Sequence, residues 1–223
     1  MPEVIFAGPE GRLEGRYQKG KGDNPPVALV LHPHPMFGGS MNNRVCYDMY
    51  HMFIQRGFSV LRFNFRGVGR SQGEYDHGQG ELADAATALD FLQQRNANAP
   101  FAWVAGFSFG SWIAMQLLMR RPEIVGFLAG SVPANLYDFS FLAPCPSSGL
   151  VIHGTEDKVC SPEETRLMVE RTRTQKGRKV EFTTVPHGDH FFQANLEDFL
   201  ETAASYLDHR LAQENPEGAY FQS

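Results

Sequence analysis

Val27–Leu31 reads VALVL, a short and unbroken apolar run. A strand with one wet face alternates apolar and polar residues. Only a strand covered on both faces, as inside a parallel sheet, has a use for apolar side chains at every position. Phe101–Ala105 (FAWVA) repeats the pattern. Two such runs restrict the chain to layered architectures in which helices cover both sides of a central sheet.

The stretches between them supply the helices. Arg44–Arg56 carries a helical pattern closed by Gly57, Glu81–Gln94 is alanine-rich, and Ser108–Arg120 is amphipathic and stopped by Pro122. Pro162–Gln175 has Ser161 at its N-cap and Pro162 at its first turn, and Leu196–Leu211 forms the last helix. Further strands are expected at Leu13–Gln18 (alternating, as on a sheet edge), Ser59–Phe63, Ile124–Ala129, Leu150–Ile152 and Val180–Val185. Strands joined by helices imply right-handed crossovers and an open, doubly wound α/β sheet. The longest irregular stretches, Asn64–Gly80 and Gly130–Gly149, leave little room for an inserted cap domain. Residues 1–213 are read as one domain and 214–223 as a disordered or tag-derived tail, since Tyr220–Ser223 resembles the scar of an expression tag.

Composition removes several classes. A formal net charge of −5 provides no basic field for nucleic acid or an anionic membrane. No stretch approaches the roughly 20 apolar residues that span a bilayer. Met1–Glu10 lacks the features of a secretory leader. Cys46, Cys145 and Cys160 are odd in number and widely spaced, which suits a reducing cytoplasm better than a disulfide framework.

Ligands of open parallel sheets bind outside the carboxyl ends of the strands, and every chemistry-bearing motif falls there. Gly106-Phe107-Ser108-Phe109-Gly110 joins a buried strand to an amphipathic helix. A serine on so sharp a turn is pushed outward in a strained conformation, and only small residues fit two positions to either side. A serine falls in a Gly-rich turn by chance often enough that the string alone means little. The flanking strand and helix and the downstream partners give it weight, and make Ser108 the candidate nucleophile.

A serine hydroxyl needs a base, and the base needs an orienting acid. His187 and His190 share the loop after the last strand, whereas His209 sits beside Asp208 and Arg210 as on a solvated helix face. His190 is preferred as base because Phe191 and Phe192 follow it and can fix the ring. The run LVIHGTEDKV reads strand, turn, carboxylate. Asp157 is the preferred acid, with Glu156 the alternative; by itself Asp157 would pass for an ordinary Asx-turn.

The oxyanion formed by attack on a carbonyl needs two N–H donors. Phe109, next after the nucleophile, supplies one. The other is expected from His32–Gly39, where Pro33 and Pro35 have no N–H; Met36 is the first choice and His34 the second. His34, Phe37 and Phe107 are candidates to line a substrate pocket. His32 and His34 lack the further ligands of a compact metal set, so no metal and no cofactor is expected. Gly67-Val68-Gly69 lacks the third glycine of a dinucleotide fingerprint and instead suggests a rigid turn beside the site.

Four segments, LHPHPMFGGSM, NFRGVGRSQG, GFSFG and the pair HGTEDKV with HGDHFF, together resemble the small uncapped bacterial α/β-hydrolases with an HPHP…GG loop, relatives of the dienelactone-hydrolase-like esterases. The resemblance spans about Val4–Leu211. It implies the α/β-hydrolase fold, a mostly parallel sheet of about eight strands with helices on both faces and no large cap. It also implies a Ser108, His190, Asp157 triad that cleaves an acyl bond, with serine where dienelactone hydrolases have cysteine. A small carboxylic ester is the expected substrate. A thioester, lactone or peptide passes through the same chemistry, and an acyl transferase or a non-catalytic binding protein on the same scaffold are the remaining alternatives. A second copy of the chain would suit any apolar surface left exposed.

Overall fold

The computed structural model describes residues 3–172 and 176–214. The elements in chain order are β1 (Glu3–Gly8), β2 (Gly11–Gln18), β3 (Val27–Leu31), α1 (Arg44–Gln55), β4 (Ser59–Phe63), α2 (Gln79–Gln94), β5 (Ala102–Phe107), α3 (Phe109–Leu118), β6 (Ile124–Gly130), β7 (Ser148–Gly154), α4 (Pro162–Arg171), β8 (Val180–Val185) and α5 (Leu196–Glu214). One eight-stranded sheet runs β1-β2-β4-β3-β5-β6-β7-β8. Only the β1–β2 and β2–β4 pairings are antiparallel.

The continuous apolar strands do what their pattern requires. On β3, Val27, Leu29 and Leu31 enter a core under α2 and α3, while Ala28 and Val30 enter a second core under α1 and α5. On β5, Ala102 and Val104 face the first core, and Trp103, Ala105 and Phe107 face the second. Each fully buried Leu or Phe on such a strand stabilises the fold by roughly 1.5–3 kcal/mol. Both faces being apolar locks these two strands to the middle of the sheet.

Three expectations need correction. Leu13–Gln18 lies in β2, which is not an edge: β1 pairs along its outer side, through a turn in which Gly8 faces Gly11. Phe6 of β1 enters the core and Val4 packs against it, but Val4–Ala7 is apolar throughout and shows no alternation to betray an edge strand. The connection from β6 to β7, expected as irregular over Gly130–Gly149, holds only a short 3₁₀ turn (Ser140–Leu142) between these two parallel strands. The fourth helix ends at Arg171, with Thr172 already extended as its C-cap; the rest of the expected helix, to Gln175, lies outside the described residues. The last helix runs on to Glu214, and the expected tail beyond it lies outside them too. Among the described residues no cap domain interrupts the succession of strands and helices, and no helix is long and apolar enough to cross a membrane.

The loop after β4 is stitched to its neighbours by buried polar groups. Asn64 accepts a hydrogen bond from Met41 N–H (2.8 Å) and donates one to Glu14 Oε1 (2.7 Å). Arg66 forms a fork on Asp84 of α2, Nε to Oδ2 at 3.0 Å and Nη2 to Oδ1 at 2.8 Å, and both side chains are nearly inaccessible (5% and 0%). Removing one partner of such a pair strands a buried charge. Asp84→Ala is expected to lower the unfolding free energy by about 3–5 kcal/mol in urea titration. A loss below about 1 kcal/mol would show that the loop does not depend on the pair.

Candidate active site

Ser108 lies between β5 and α3 at φ 52° and ψ −120°, a conformation few L-residues adopt. Its neighbours hold it there. Ser108 N–H donates to Gly130 O on β6 (2.8 Å), and its own carbonyl accepts from Ser111 N–H (2.9 Å) and Ser111 Oγ (2.6 Å). A Cβ on Gly106 would come within 2.3 Å of Gly110 O, and one on Gly110 within 2.3 Å of Leu31 O, so the helix can enter this close to β3 and β5 only through glycine.

The two loops from β7 and β8 come together over the same strand ends. Thr155 N–H donates to Val185 O (3.0 Å) and Glu156 N–H to Gly188 O (2.9 Å), and a Cβ on Gly154 would collide with Gly188 O at 2.2 Å. This contact brings His190 to Asp157. His190 Nδ1–H donates to Asp157 Oδ2 at 2.8 Å, and its Nε2 accepts from Ser108 Oγ at 3.1 Å. All three side chains are buried. Ser131 Oγ, donating to the carbonyl of His190 (2.9 Å), ties the histidine loop to β6. Asp157 Oδ1 accepts from the N–H groups of Val159 (2.8 Å) and Cys160 (2.9 Å), so the Asx-turn and the His190 contact coexist on one carboxylate. Burial alone would raise the Asp157 carboxyl. Hydrogen bonds from His153, His190 and the Cys160 N–H overcome that and hold it well below the usual carboxylate range. A hydroxyl, imidazole and carboxylate in this sequence allow the imidazole to take the hydroxyl proton while the carboxylate stabilises the resulting cation.

The other candidates fall elsewhere. His187 is exposed and pairs with Glu156 (2.7 Å), and His209 bonds Gln213 on the outside of α5. Phe191 stands edge-on to the His190 ring (4.8 Å), while Phe192 is buried against Phe199 and does not fix the imidazole. Phe107 is not a pocket residue: it lies fully buried in the core with its ring 5.6 Å from that of His190. Met36 N–H is donated to His34 Nδ1 (3.1 Å), so it is spent within its own loop. Among the described residues, the N–H groups of His34 and Phe109 donate to nothing. His32 is wholly buried; its Nδ1–H donates to Pro33 O (2.6 Å) and its Nε2 accepts from Phe65 N–H (3.0 Å). With both ring nitrogens engaged, it fastens the first loop to the loop after β4.

Sequence reasoning did not find Cys160 or His153. Burial and then the Asp157 charge push the Cys160 thiol up to about 12, so it remains a thiol beside Ser108. A cleft of about 310 Å³ opens at Ser108 and His190, lined by His34, Phe37 and Phe109 as well as Leu136, Tyr137, Val159 and Phe191. The last four come from three loops, after β6, β7 and β8, and nothing local in the sequence marks these loops as neighbours.

The sheet order, the strained serine at the end of β5 and the His190–Asp157 contact at the ends of β8 and β7 define an α/β serine hydrolase. The family described as serine aminopeptidase, S33, has a model that matches residues 36–147, and the chain belongs to that family. It is 51% identical over 211 residues to the uncharacterized protein RP471 of Rickettsia prowazekii, covering 93% of this chain and 89% of that one. The crystal structure of ATU1826 of Agrobacterium tumefaciens, a protein of unknown function, superposes with a TM-score of 0.93 at 55% identity, covering 96% of this chain and 98% of that one. XC6422 of Xanthomonas campestris, described as a member of the α/β serine hydrolases without a lid, superposes with a TM-score of 0.85 at 28% identity, covering 93% and 94%.

His32 generates a pH prediction. Burial, opposed by its bond to Pro33 O and assisted by His34, lowers it from 6.5 to about 4. An unfolded chain takes up this proton first, so the contribution of His32 is complete above pH 6.5 and is lost as the pH falls toward 4. Urea titrations should show wild type losing about 3 kcal/mol over that interval in excess of His32→Asn. Equal pH slopes for the two proteins would mean His32 is protonated in the fold.

Proposed function

We propose that the chain is a carboxylic-ester hydrolase working through an acyl-enzyme on Ser108. The observation that carries the reading is the unbroken chain of contacts from Ser108 Oγ to His190 Nε2 (3.1 Å) and from His190 Nδ1 to Asp157 Oδ2 (2.8 Å), opening into an apolar cleft. In this mechanism His190 takes the serine proton as Ser108 attacks the carbonyl carbon. Asp157 stabilises the imidazolium. The tetrahedral oxyanion is held by Phe109 N–H at the start of α3 and by His34 N–H, the loop donor left unspent when Met36 N–H turns to the His34 ring. Collapse expels the alcohol with the proton from His190. Water, activated by the same histidine, then releases the acid.

The family description favours a second reading, a peptide with a free amino terminus. An α-ammonium group bound beside the scissile bond needs a counter-ion. The cleft contains no Asp or Glu among its described lining residues, which supports an uncharged acyl group over an aminopeptidase substrate. Phe37, Leu136, Val159 and Phe191 are exposed at the mouth of the same cleft, so their apolar surface is assigned to substrate rather than to a second copy of the chain. The buried free thiols Cys46, Cys145 and Cys160 support a reducing compartment, and the proposal places the enzyme in the cytoplasm.

A fluorophosphonate probe is expected to label wild type but not Ser108→Ala, and hydrolysis of p-nitrophenyl butanoate to fall by at least about 10⁴-fold in the variant. Labelling of the alanine variant, or ester turnover undiminished by it, overturns the reading. Each methylene that enters the cleft contributes about 0.8 kcal/mol. Accordingly kcat/KM should rise roughly fourfold per carbon from acetate to about hexanoate and then level off. A steady fall from acetate onward would mean the apolar cleft does not receive the acyl group.

A further inference from the structure

His153 is the next-to-last residue of β7, wholly buried, four residues before Asp157 and with no part in the chemistry above. The chain turns tightly between the two residues, Asp157 N–H reaching back to Gly154 O at 3.3 Å. As a result the His153 ring comes up against the same carboxylate oxygen that His190 meets. His153 Nε2 is 3.2 Å from Asp157 Oδ2, the oxygen that also accepts from His190, and 3.0 Å from the carbonyl of Cys160. Both partners are acceptors, so Nε2 carries the proton and shares it between them. His153 Nδ1 has no hydrogen-bond partner. A proton there would be a buried donor with nothing to bond, which costs far more than a bare lone pair. The ring is thereby held with Nε2–H as its donor, directed at Asp157 and Cys160.

We propose that His153 is a positioning residue for Asp157, its Nε2–H fixing the Asp157 Oδ2 lone pairs and closing the Asp157–Cys160 loop so that the carboxylate meets His190 in one orientation. The inference rests on the proposed Ser108 mechanism. Asp157 sits on a loop, and its Oδ1 is held by that loop's own N–H groups. Only His153 ties Oδ2 to a rigid strand, one hydrogen-bonded on both sides, to β6 and to β8. Sharing Oδ2 between two imidazoles also moderates how strongly the carboxylate pulls on the His190 proton. With His153 removed, Asp157 has one donor fewer, turns more freely, and attracts the His190 proton more strongly.

Two consequences separate this role from packing. Loss of the donor lowers kcat more than it alters KM, because substrate never touches His153. It also moves the acid limb of the kcat/KM profile to higher pH, because a less satisfied carboxylate favours the imidazolium. The titratable groups facing Asp157 and His190 are His153 on β7, Cys160 on the loop that follows and Ser108 at the elbow; Glu156 and His187 pair with each other at the surface. Of these, only His153 changes in the variants.

The test uses His153→Leu, which removes the donor at similar volume, His153→Gln, whose amide reaches the Nε2 position, and His153→Asn, whose amide falls short. With p-nitrophenyl butanoate, His153→Leu and His153→Asn are expected to lose roughly 10- to 100-fold in kcat, the scale of one hydrogen bond to a charged group. Their acid limb should rise by roughly one pH unit, and His153→Gln should restore both towards wild type. If His153→Leu does not fold, the Gln and Asn pair decides alone. Wild-type kcat and limb in His153→Asn, or a loss that His153→Gln fails to relieve, overturns the proposal. If wild type itself hydrolyses no ester, the Ser108 reading is what fails. The His153 contact is then read from the His190 Nδ1 proton resonance, which is expected to shift in His153→Asn and not in His153→Gln; an unmoved resonance in both overturns it.

Discussion

Ser108 holds a backbone conformation that costs an L-residue of order 1–3 kcal/mol, and the surrounding strand ends are arranged to sustain it. Its N–H is fixed to β6, its carbonyl is fixed by Ser111, and glycines on either side admit β3 and α3 to near contact. Relaxing the turn would turn Oγ away from His190 and would also open the packing of α3 against the central strands. The strain persists because two apolar cores, one on each face of the sheet, oppose that opening. Stability of the whole sheet thus pays for a local distortion that the chemistry needs.

The same economy governs the charges. Asp157 is a carboxylate in a site from which water is largely excluded, and it stays ionised because the Val159 and Cys160 N–H groups and two histidines point at it. Arg66 and Asp84 do the equivalent for the loop beside the cleft. His32 takes the opposite course: with one ring nitrogen donating and the other accepting, it stays neutral and ties the first loop to the next. The buried side chains of His32, Asn64, Arg66 and Asp157 thus each have a definite partner in the loops around the site.

Much of this architecture was legible residue by residue. The strands Ser59–Phe63 and Val180–Val185 and the start of α1 at Arg44 coincide with the pattern of apolar residues and caps. That agreement is expected where burial sets both the pattern and the element. β1 was illegible because Val4–Ala7 is apolar at every position, so side-chain type does not reveal that Phe6 enters the core while Ile5 and Ala7 are exposed. Phe107 looked like a pocket residue because it adjoins Ser108, yet alternation along β5 turns it into the opposite core. That Met36 N–H is taken up by the His34 ring was equally illegible, because it depends on a local hydrogen bond to a ring whose orientation sequence does not specify.

The amino-acid sequence by itself determined the layered α/β class, the positions of most strands and helices, and the loops on which Ser108, Asp157 and His190 lie. Those properties follow from periodicity, caps and glycine placement, all of which act over a few residues. Tertiary structure alone decided the distances among the three side chains, the aromatic and aliphatic lining of the cleft, and the contact of His153 with Asp157. These depend on contacts between residues far apart in the chain, or on where a tight turn points a side chain. Only the assembled, packed sheet sets such relations.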